Sequence, residues 1–306
     1  MGYCYYIVIM QAALINFLAR ALSSMSLRAN HRIGAFIGWV AWTCRTSVRT
    51  ITLINLELCF PQWSKAERHR VGKASVIETG KALTESLWLW KRPISELQNK
   101  IMIVEGEHLL REAQRAEAGL IVAAPHLGSW ECACQPLVID RPITCLYQPP
   151  RMASLEPLLI AGRTNLGAAL TPLDTSGIKQ VLKELKHGHT IGILPDQEPD
   201  AASGHFAPLF AQPANTMFLL AKFAYRSKAQ VLFCFCKRLP KGAGWQVHYF
   251  PAEPGVDNTD KAIATTALNK SVEQCIMACP EQYLWSYKRF RVRPDGSRRN
   301  YKTLLD

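Results

Sequence analysis

The chain has 306 residues, 36 Lys and Arg against 24 Asp and Glu, a formal net charge of +12, and 48% hydrophobic residues. A composition this apolar excludes disorder, and the length can bury a sizeable core as one large α/β domain or two small ones. The positive excess calls for an acidic partner, and the absence of a recognised module with interleaved aromatics argues against nucleic acid.

Tyr3 to Ala19 is apolar apart from Gln11 and Asn16. Its length of about 17 residues is the lower limit for crossing a bilayer, so this stretch either spans or lies in the surface. No basic segment precedes it and no small-x-small site follows, which argues against a cleaved signal peptide. Arg20, Arg28, Arg32, Arg45 and Arg49 come next, with no acid before Glu57. Ile33 to Cys44 is too short to span, and its two tryptophans suit a helix lying in an anionic membrane interface, with the arginines on the cytoplasmic side. Residues 1–60 therefore read as a membrane-associating portion, the alternative being a buried hydrophobic helix pair of a soluble protein, ahead of an α/β domain at 61–306.

Ser64 with Glu67 makes a capping box, and Val71, Ala74, Ile77, Leu83, Leu87 and Trp90 share one broad helical face. Beyond Ile101, short apolar runs alternate with helical stretches. The predicted strands are Ile101–Val104, Leu120–Ala124, Ile143–Tyr147, Thr190–Leu194, Ala229–Cys236 and Gln246–Phe250. The predicted helices are Glu107–Ala118, Leu127–Val138, Met152–Leu166, Ser176–Lys186, Ala214–Arg226 and Asp260–Cys279. This alternation predicts a mostly parallel central sheet with helices on both faces. Pro195–Pro213 is a long connection leaving the carboxyl end of a strand, where α/β folds keep their sites. The C-terminal basic cluster from Lys288 to Lys302 reads either as a solvated tail or as a dock for anionic lipid. Among the 10 cysteines, Cys132-x-Cys134 and Cys234-x-Cys236 lack zinc-site spacing and read as buried free thiols, with no metal implied.

The segment Ala123-Ala124-Pro125-His126-Leu127-Gly128-Ser129-Trp130-Glu131 places a histidine, a glycine and a carboxylate at the end of a predicted strand. Five residues turn a regular helix by about 500°, so His126 and Glu131 meet only if the histidine sits in the strand-to-helix turn. Pro125 stops the strand and Gly128 permits close approach. A carboxylate beside the histidine fixes one tautomer and leaves the other nitrogen as a general base for a substrate hydroxyl. The bland alternative is a loop that happens to carry two polar residues.

Several blocks in order carry a resemblance. "PHLGSWE" resembles the H-x4-D/E block of glycerolipid acyltransferases, specifically the bacterial lipid A biosynthesis acyltransferase family. Asn55-Leu56-Glu57-Leu58-Cys59-Phe60-Pro61 is similar to its N-L-x-x-C-F-P segment, and Val104-Glu105-Gly106 to the strand and glycine ahead of its first helix. Pro195-Asp196-Gln197 resembles its D-Q motif, and His205 to Phe210 with Pro213-Ala214 its V-x-V-P-F-F-G-x-x-A stretch. Gln282 to Phe290 resembles Q-Y-x-W-x-H-x-R-F, with Tyr287 in place of the His; Gln148 stands where the family has the Arg of Y-R-P, while Arg163 matches a family arginine.

The resemblance implies an O-acyltransferase in which His126, oriented by Glu131, deprotonates a hydroxyl attacking an acyl thioester. The donor would be acyl carrier protein or acyl-CoA, with no cofactor, and the acceptor a lipid A precursor at the cytoplasmic face of the inner membrane. Backbone N–H groups around Gly128 or the Arg163 guanidinium would stabilise the oxyanion, or Arg163 would clamp a lipid phosphate. Asp196 and Gln197 would line the substrate site, or serve as a strand-end turn. Other readings are a different lipid hydroxyl as acceptor (lysophospholipid, ornithine lipid or glycolipid) and a non-catalytic lipid-binding protein that kept the fold.

Overall fold

The computed structural model describes residues 2–116, 118–133, 135–138, 143–150, 152–200 and 203–302, with the backbone alone for 2–9. Four helices come first: α1 (Gly2–Ser23), α2 (Leu27–Thr43), α3 (Ser47–Cys59) and α4 (Lys65–Leu89). Ser64 caps α4 by accepting a hydrogen bond from the Glu67 N–H, as its sequence predicts. Glycines draw α2 against α4, because a Cβ on Gly80 would stand 2.2 Å from the Gly34 carbonyl oxygen. Among the described residues the opposite face of α2 is left exposed at Arg28, Arg32, Phe36, Trp39 and Val40. Among the described residues no helix is long and apolar enough to cross a membrane.

The α/β body follows: α5 (Ile94–Gln98), β1 (Ile101–Glu105), α6 (Glu107–Arg115), β2 (Leu120–Ala123), β3 (Ile143–Tyr147), α7 (Glu156–Asn165), β4 (Ala168–Pro172), α8 (Thr175–Lys186), β5 (Thr190–Ile193), β6 (Gly204–Leu209), β7 (Gln212–Met217), α9 (Leu219–Ser227), β8 (Gln230–Arg238), β9 (Trp245–Pro251) and α10 (Lys261–Ala278). Seven strands form one sheet in the order β1-β9-β8-β2-β5-β3-β4, and β6 pairs with β7 in a separate hairpin. Every neighbouring pair in the large sheet is parallel except β8 with β9.

Successive strand side chains point to opposite faces, and the core divides accordingly. Ile121, Ala123, Phe233 and Phe235 pack with α3, α8, α9 and α10 on one side. Leu120, Val122, Leu232, Cys234 and Trp245 pack with α6, α7 and the end of α4 on the other. Both faces are covered, as the alternation of elements predicts.

Three expectations need correction. The segment Leu127–Val138 is not a helix but two short 3-10 turns, Trp130–Cys132 and Gln135–Leu137. Gly128 has a left-handed φ of +63°, and Pro136 supplies no N–H, so an α-helix is denied at both places. Ala214–Met217 is strand rather than helix, because it pairs with β6 and leaves α9 to begin at Leu219. β4 ends in Pro172 at the sheet edge, where a missing donor is tolerated, and its sequence gave no strand pattern. Among the described residues eight cysteines are free and six of these are buried; Cys134 and the Cys4 side chain lie outside them. Burial pushes the Cys234 thiol up to about 12, so it stays protonated.

Candidate active site

His126 sits just beyond β2, and Asp196 just beyond the neighbouring β5. The His126 Nδ1–H donates to Asp196 Oδ1 at 2.8 Å, and the His126 backbone N–H donates to Asp196 Oδ2 at 3.0 Å. Burial by itself would push the Asp196 carboxyl up; the facing His126 ring, with the hydrogen bonds it and its backbone donate, outweighs this and holds the group below the usual carboxylate range. With Nδ1 bearing the proton, Nε2 is left with its lone pair and accepts from the Gln197 side-chain amide at 3.2 Å. The ring also lies against Trp130, centroid to centroid at 5.3 Å.

Glu131 is not the partner of His126, contrary to the five-residue spacing argument. Its two oxygens accept from the Arg163 fork, Nε at 3.0 Å and Nη2 at 2.7 Å, and Oε2 also accepts from the Trp90 indole at 3.1 Å. The reason is local: without a helix after His126, residue 131 turns toward α7 instead of back toward the ring. Burial would raise the Glu131 carboxyl, but the Arg163 charge and hydrogen bonds from Arg163 and Trp90 keep it low and ionised. Arg163 is thereby committed to a carboxylate and is not presented as a phosphate clamp.

The backbone donors around Gly128 are also spent. Leu127 N–H donates to Pro125, Gly128 N–H to the Gln282 carbonyl at 3.0 Å, and Ser129 N–H to the Cys236 carbonyl at 2.7 Å. Gly128 is needed for this approach, since a Cβ there would lie 2.0 Å from the Cys236 oxygen. Ser129 Oγ, by contrast, is buried with no hydrogen-bond partner among the described residues.

Two distant groups hold the turn. Arg238, buried on β8, donates to the Gly128 carbonyl at 3.0 Å while its fork engages Glu85. Burial would push the Glu85 carboxyl up, but Arg238 and His31 together hold it well below the usual range. Gln282 bonds both ways with the Arg238 backbone, at 2.8 and 2.9 Å. The C-terminal block closes the other side: Tyr287 Oη accepts from the Glu198 N–H, and Asn55 donates to the carbonyls of Trp285 and Tyr287. Arg289 is no part of a solvated tail, because it is buried and donates to the Asn215 carbonyl and Thr216 Oγ1.

Beside this cluster runs an apolar slot of about 60 Å³ whose walls include Trp130, Val138, Leu146, Leu166, Ala168 and Ile193. Glu131 and Arg163 border it as their closed ion pair. Sequence reasoning had marked His126, Asp196 and Gln197, and the structure brings these three together. Glu131 and Arg163 form a second, adjoining pair. Trp90 was read only as part of a packed helical face, and Arg238 and Ser129 were given no role; the capacity of a buried Trp90 indole to donate was the one signal available.

The chain matches the family described as bacterial lipid A biosynthesis acyltransferase over residues 5–292. It is similar to the lipid A biosynthesis lauroyltransferase of Escherichia coli (strain K12), at 30% identity covering 87% of this chain and 86% of the relative. Similarity to the palmitoleoyltransferase of that strain is also 30%, over 86% and 85% of the two chains. With its myristoyltransferase the identity is 23%, over 89% and 82%.

Proposed function

The chain belongs to the bacterial lipid A biosynthesis acyltransferase family and is an O-acyltransferase, and on that premise we propose how its residues act and on what. The acyl donor is a thioester on acyl carrier protein, whose acidic surface suits a chain of net charge +12. The acceptor is a hydroxyl of a lipid A precursor, presented from the cytoplasmic leaflet of the inner membrane.

The observation that carries the reading is the His126–Asp196 pair, which turns Nε2 toward the Gln197 amide at the end of a strand beside an apolar slot. The acceptor hydroxyl takes the place of the Gln197 amide at Nε2. His126 removes the proton as the oxygen attacks the thioester carbon, and Asp196 stabilises the imidazolium. The new C–O bond leaves a tetrahedral oxyanion, for which the Ser129 hydroxyl and the displaced Gln197 amide are the uncommitted donors. Collapse breaks the C–S bond, the imidazolium proton passes to the leaving thiolate, and the ester and free thiol depart. The acyl chain enters past Trp130 as the walls of the slot part, since its volume of about 60 Å³ is smaller than such a chain. Glu131 and Arg163 act as positioning residues that fix the wall of that slot.

Membrane attachment is part of the same proposal. The uncovered stripe of α2 carries Phe36 at 62% exposure and Trp39 at 46%, one and two turns beyond Arg32. An apolar stripe with basic residues at one end suits insertion at the headgroup level of an anionic leaflet. The test is to incubate the purified protein with acyl-carrier-protein thioesters of several lengths and a tetra- or penta-acylated lipid A precursor, then weigh the lipid by mass spectrometry. A mass gain of one acyl group, absent with His126→Ala, is expected. Full transfer by that variant would overturn the base assignment.

A further inference from the structure

A second concavity lies at the same end of the sheet as His126 but on its other flank. It is a hollow of about 420 Å³ walled by Arg28, Arg92, Lys100 and Lys241, with Glu96 as the single carboxylate. Its position follows from topology. Lys241 sits in the turn joining β8 to β9, and Lys100 immediately precedes β1. Because β8 is parallel to β2, β9 antiparallel to β8, and β1 parallel to β9, all these termini share the end where His126 stands. The slot is lined from β3, β4 and β5, on the opposite side of β2. His126 therefore stands between an apolar cavity and a basic one.

The cations of the hollow are incompletely neutralised. Arg92 pairs with Glu96 at 3.2 Å and lies over the Trp88 ring, but its Nε–H is buried with no acceptor among the described residues. Arg28 spends its Nε–H on the Lys241 carbonyl at 2.9 Å. Among the described residues neither Arg28, Lys100 nor Lys241 has a carboxylate partner. Convergent guanidinium and ammonium donors around a space of this size fit an oxyanion with several acceptor oxygens. Arg28 is also the first residue of the exposed α2 stripe that continues through Arg32 to Phe36 and Trp39, so the hollow opens where the proposed membrane-facing surface begins.

We infer that this hollow binds a phosphate group of the acceptor lipid, holding the headgroup while its hydroxyl reaches His126. From β2 the hollow lies two to three strands to one side, roughly 10–15 Å. The β8–β9 turn stands several residues beyond the level of Gly128, which pairs with Cys236. The span to His126 is therefore roughly 15–20 Å, the reach of an extended two-sugar headgroup with its phosphate. The identity of the lipid rests on the function proposed above; the anion site itself stands on the hollow alone.

The test uses the full chain in detergent and the double variant Lys100→Gln, Lys241→Gln, which shortens each side chain by one atom, stays polar and removes charge at half-buried and exposed positions. With a bis-phosphorylated lipid A precursor, KM for the acceptor should rise about tenfold while kcat holds. With the same lipid enzymatically dephosphorylated, wild type and variant should match. An equal change for both lipids, or a rise in KM for the acyl-carrier thioester instead, overturns the assignment; the latter would make the hollow a carrier-protein dock. Equilibrium dialysis with inorganic phosphate reads the site without turnover. Binding by wild type that the double variant loses supports an anion site even if no lipid A precursor is acylated; identical uptake by both overturns it.

Discussion

His126 and Asp196 face each other because each follows, by three residues, one member of a registered pair: Ala123 of β2 lies opposite Ile193 of the parallel β5. Two chains leaving neighbouring parallel strands in step must bring equivalent positions together. Asp196→Asn keeps the shape but loses the charge that fixes the tautomer and supports the imidazolium. It should lower kcat by about 10²–10⁴-fold with little change in KM, measured as initial rates of acyl transfer.

The Glu131–Arg163 pair predicts a different pattern. Glu131→Gln strips a largely buried guanidinium of its bidentate carboxylate, and should cost about 3–5 kcal/mol of stability. Arg163→Met alone should cost a similar amount, and the double variant less than the sum, since neither charge is then left without its partner. Urea denaturation of the four proteins gives the coupling energy, and simple additivity would show that the pair is not coupled.

Gly128→Ala should be among the most damaging single methyl additions. The residue holds a φ of +63° and its new carbon would meet the Cys236 carbonyl oxygen. Strain of about 1–3 kcal/mol is expected, visible as a lower melting temperature, together with loss of transfer because the turn that carries His126 must shift.

Acid stability follows from the depressed carboxyls. Glu85, Glu131 and Asp196 all titrate lower in the folded chain than in the unfolded one, where such groups titrate near pH 4. The unfolded state therefore takes up protons first as pH falls. The stabilisation these groups confer is complete above about pH 5 and is lost progressively below pH 4. Denaturation midpoints measured from pH 7 to pH 3 should hold steady down to about pH 5 and fall below it, less steeply for Glu131→Gln.

If the slot receives the acyl chain, narrowing it shortens the preferred donor. Ala168→Leu, on the edge strand β4, should shift the best thioester toward fewer carbons without altering the rate for the shortest. Competition among thioesters of mixed length checks this.

Much of the architecture was legible before any coordinates. Six strands fall where the short apolar runs place them, since buried parallel strands read as unbroken Val, Ile and Leu. The hairpin of β6 and β7 did not, because Ala214 to Met217 reads as the start of the helix that begins at Leu219, and only the pairing with β6 makes it a strand. His126 and the Asp196–Gln197 couple were also legible, but not their partnership. Seventy residues separate them, and only strand order and register reveal that they meet. Glu131 was marked by the H-x4-E spacing and the family resemblance, and its meeting with His126 assumed a helix that Gly128 and Pro136 forbid.

The clasp between Asn55 and the carbonyls of Trp285 and Tyr287 has a temporal consequence. These partners are 230 and 232 residues apart, and a ribosome adds about 5–20 residues per second. During synthesis α3 therefore waits on the order of ten to fifty seconds before the segment that closes over Asp196 exists at all. If the early helices bind a bilayer as proposed, they have that interval in which to do so, and the protein settles on its surface first and acquires its chemistry last.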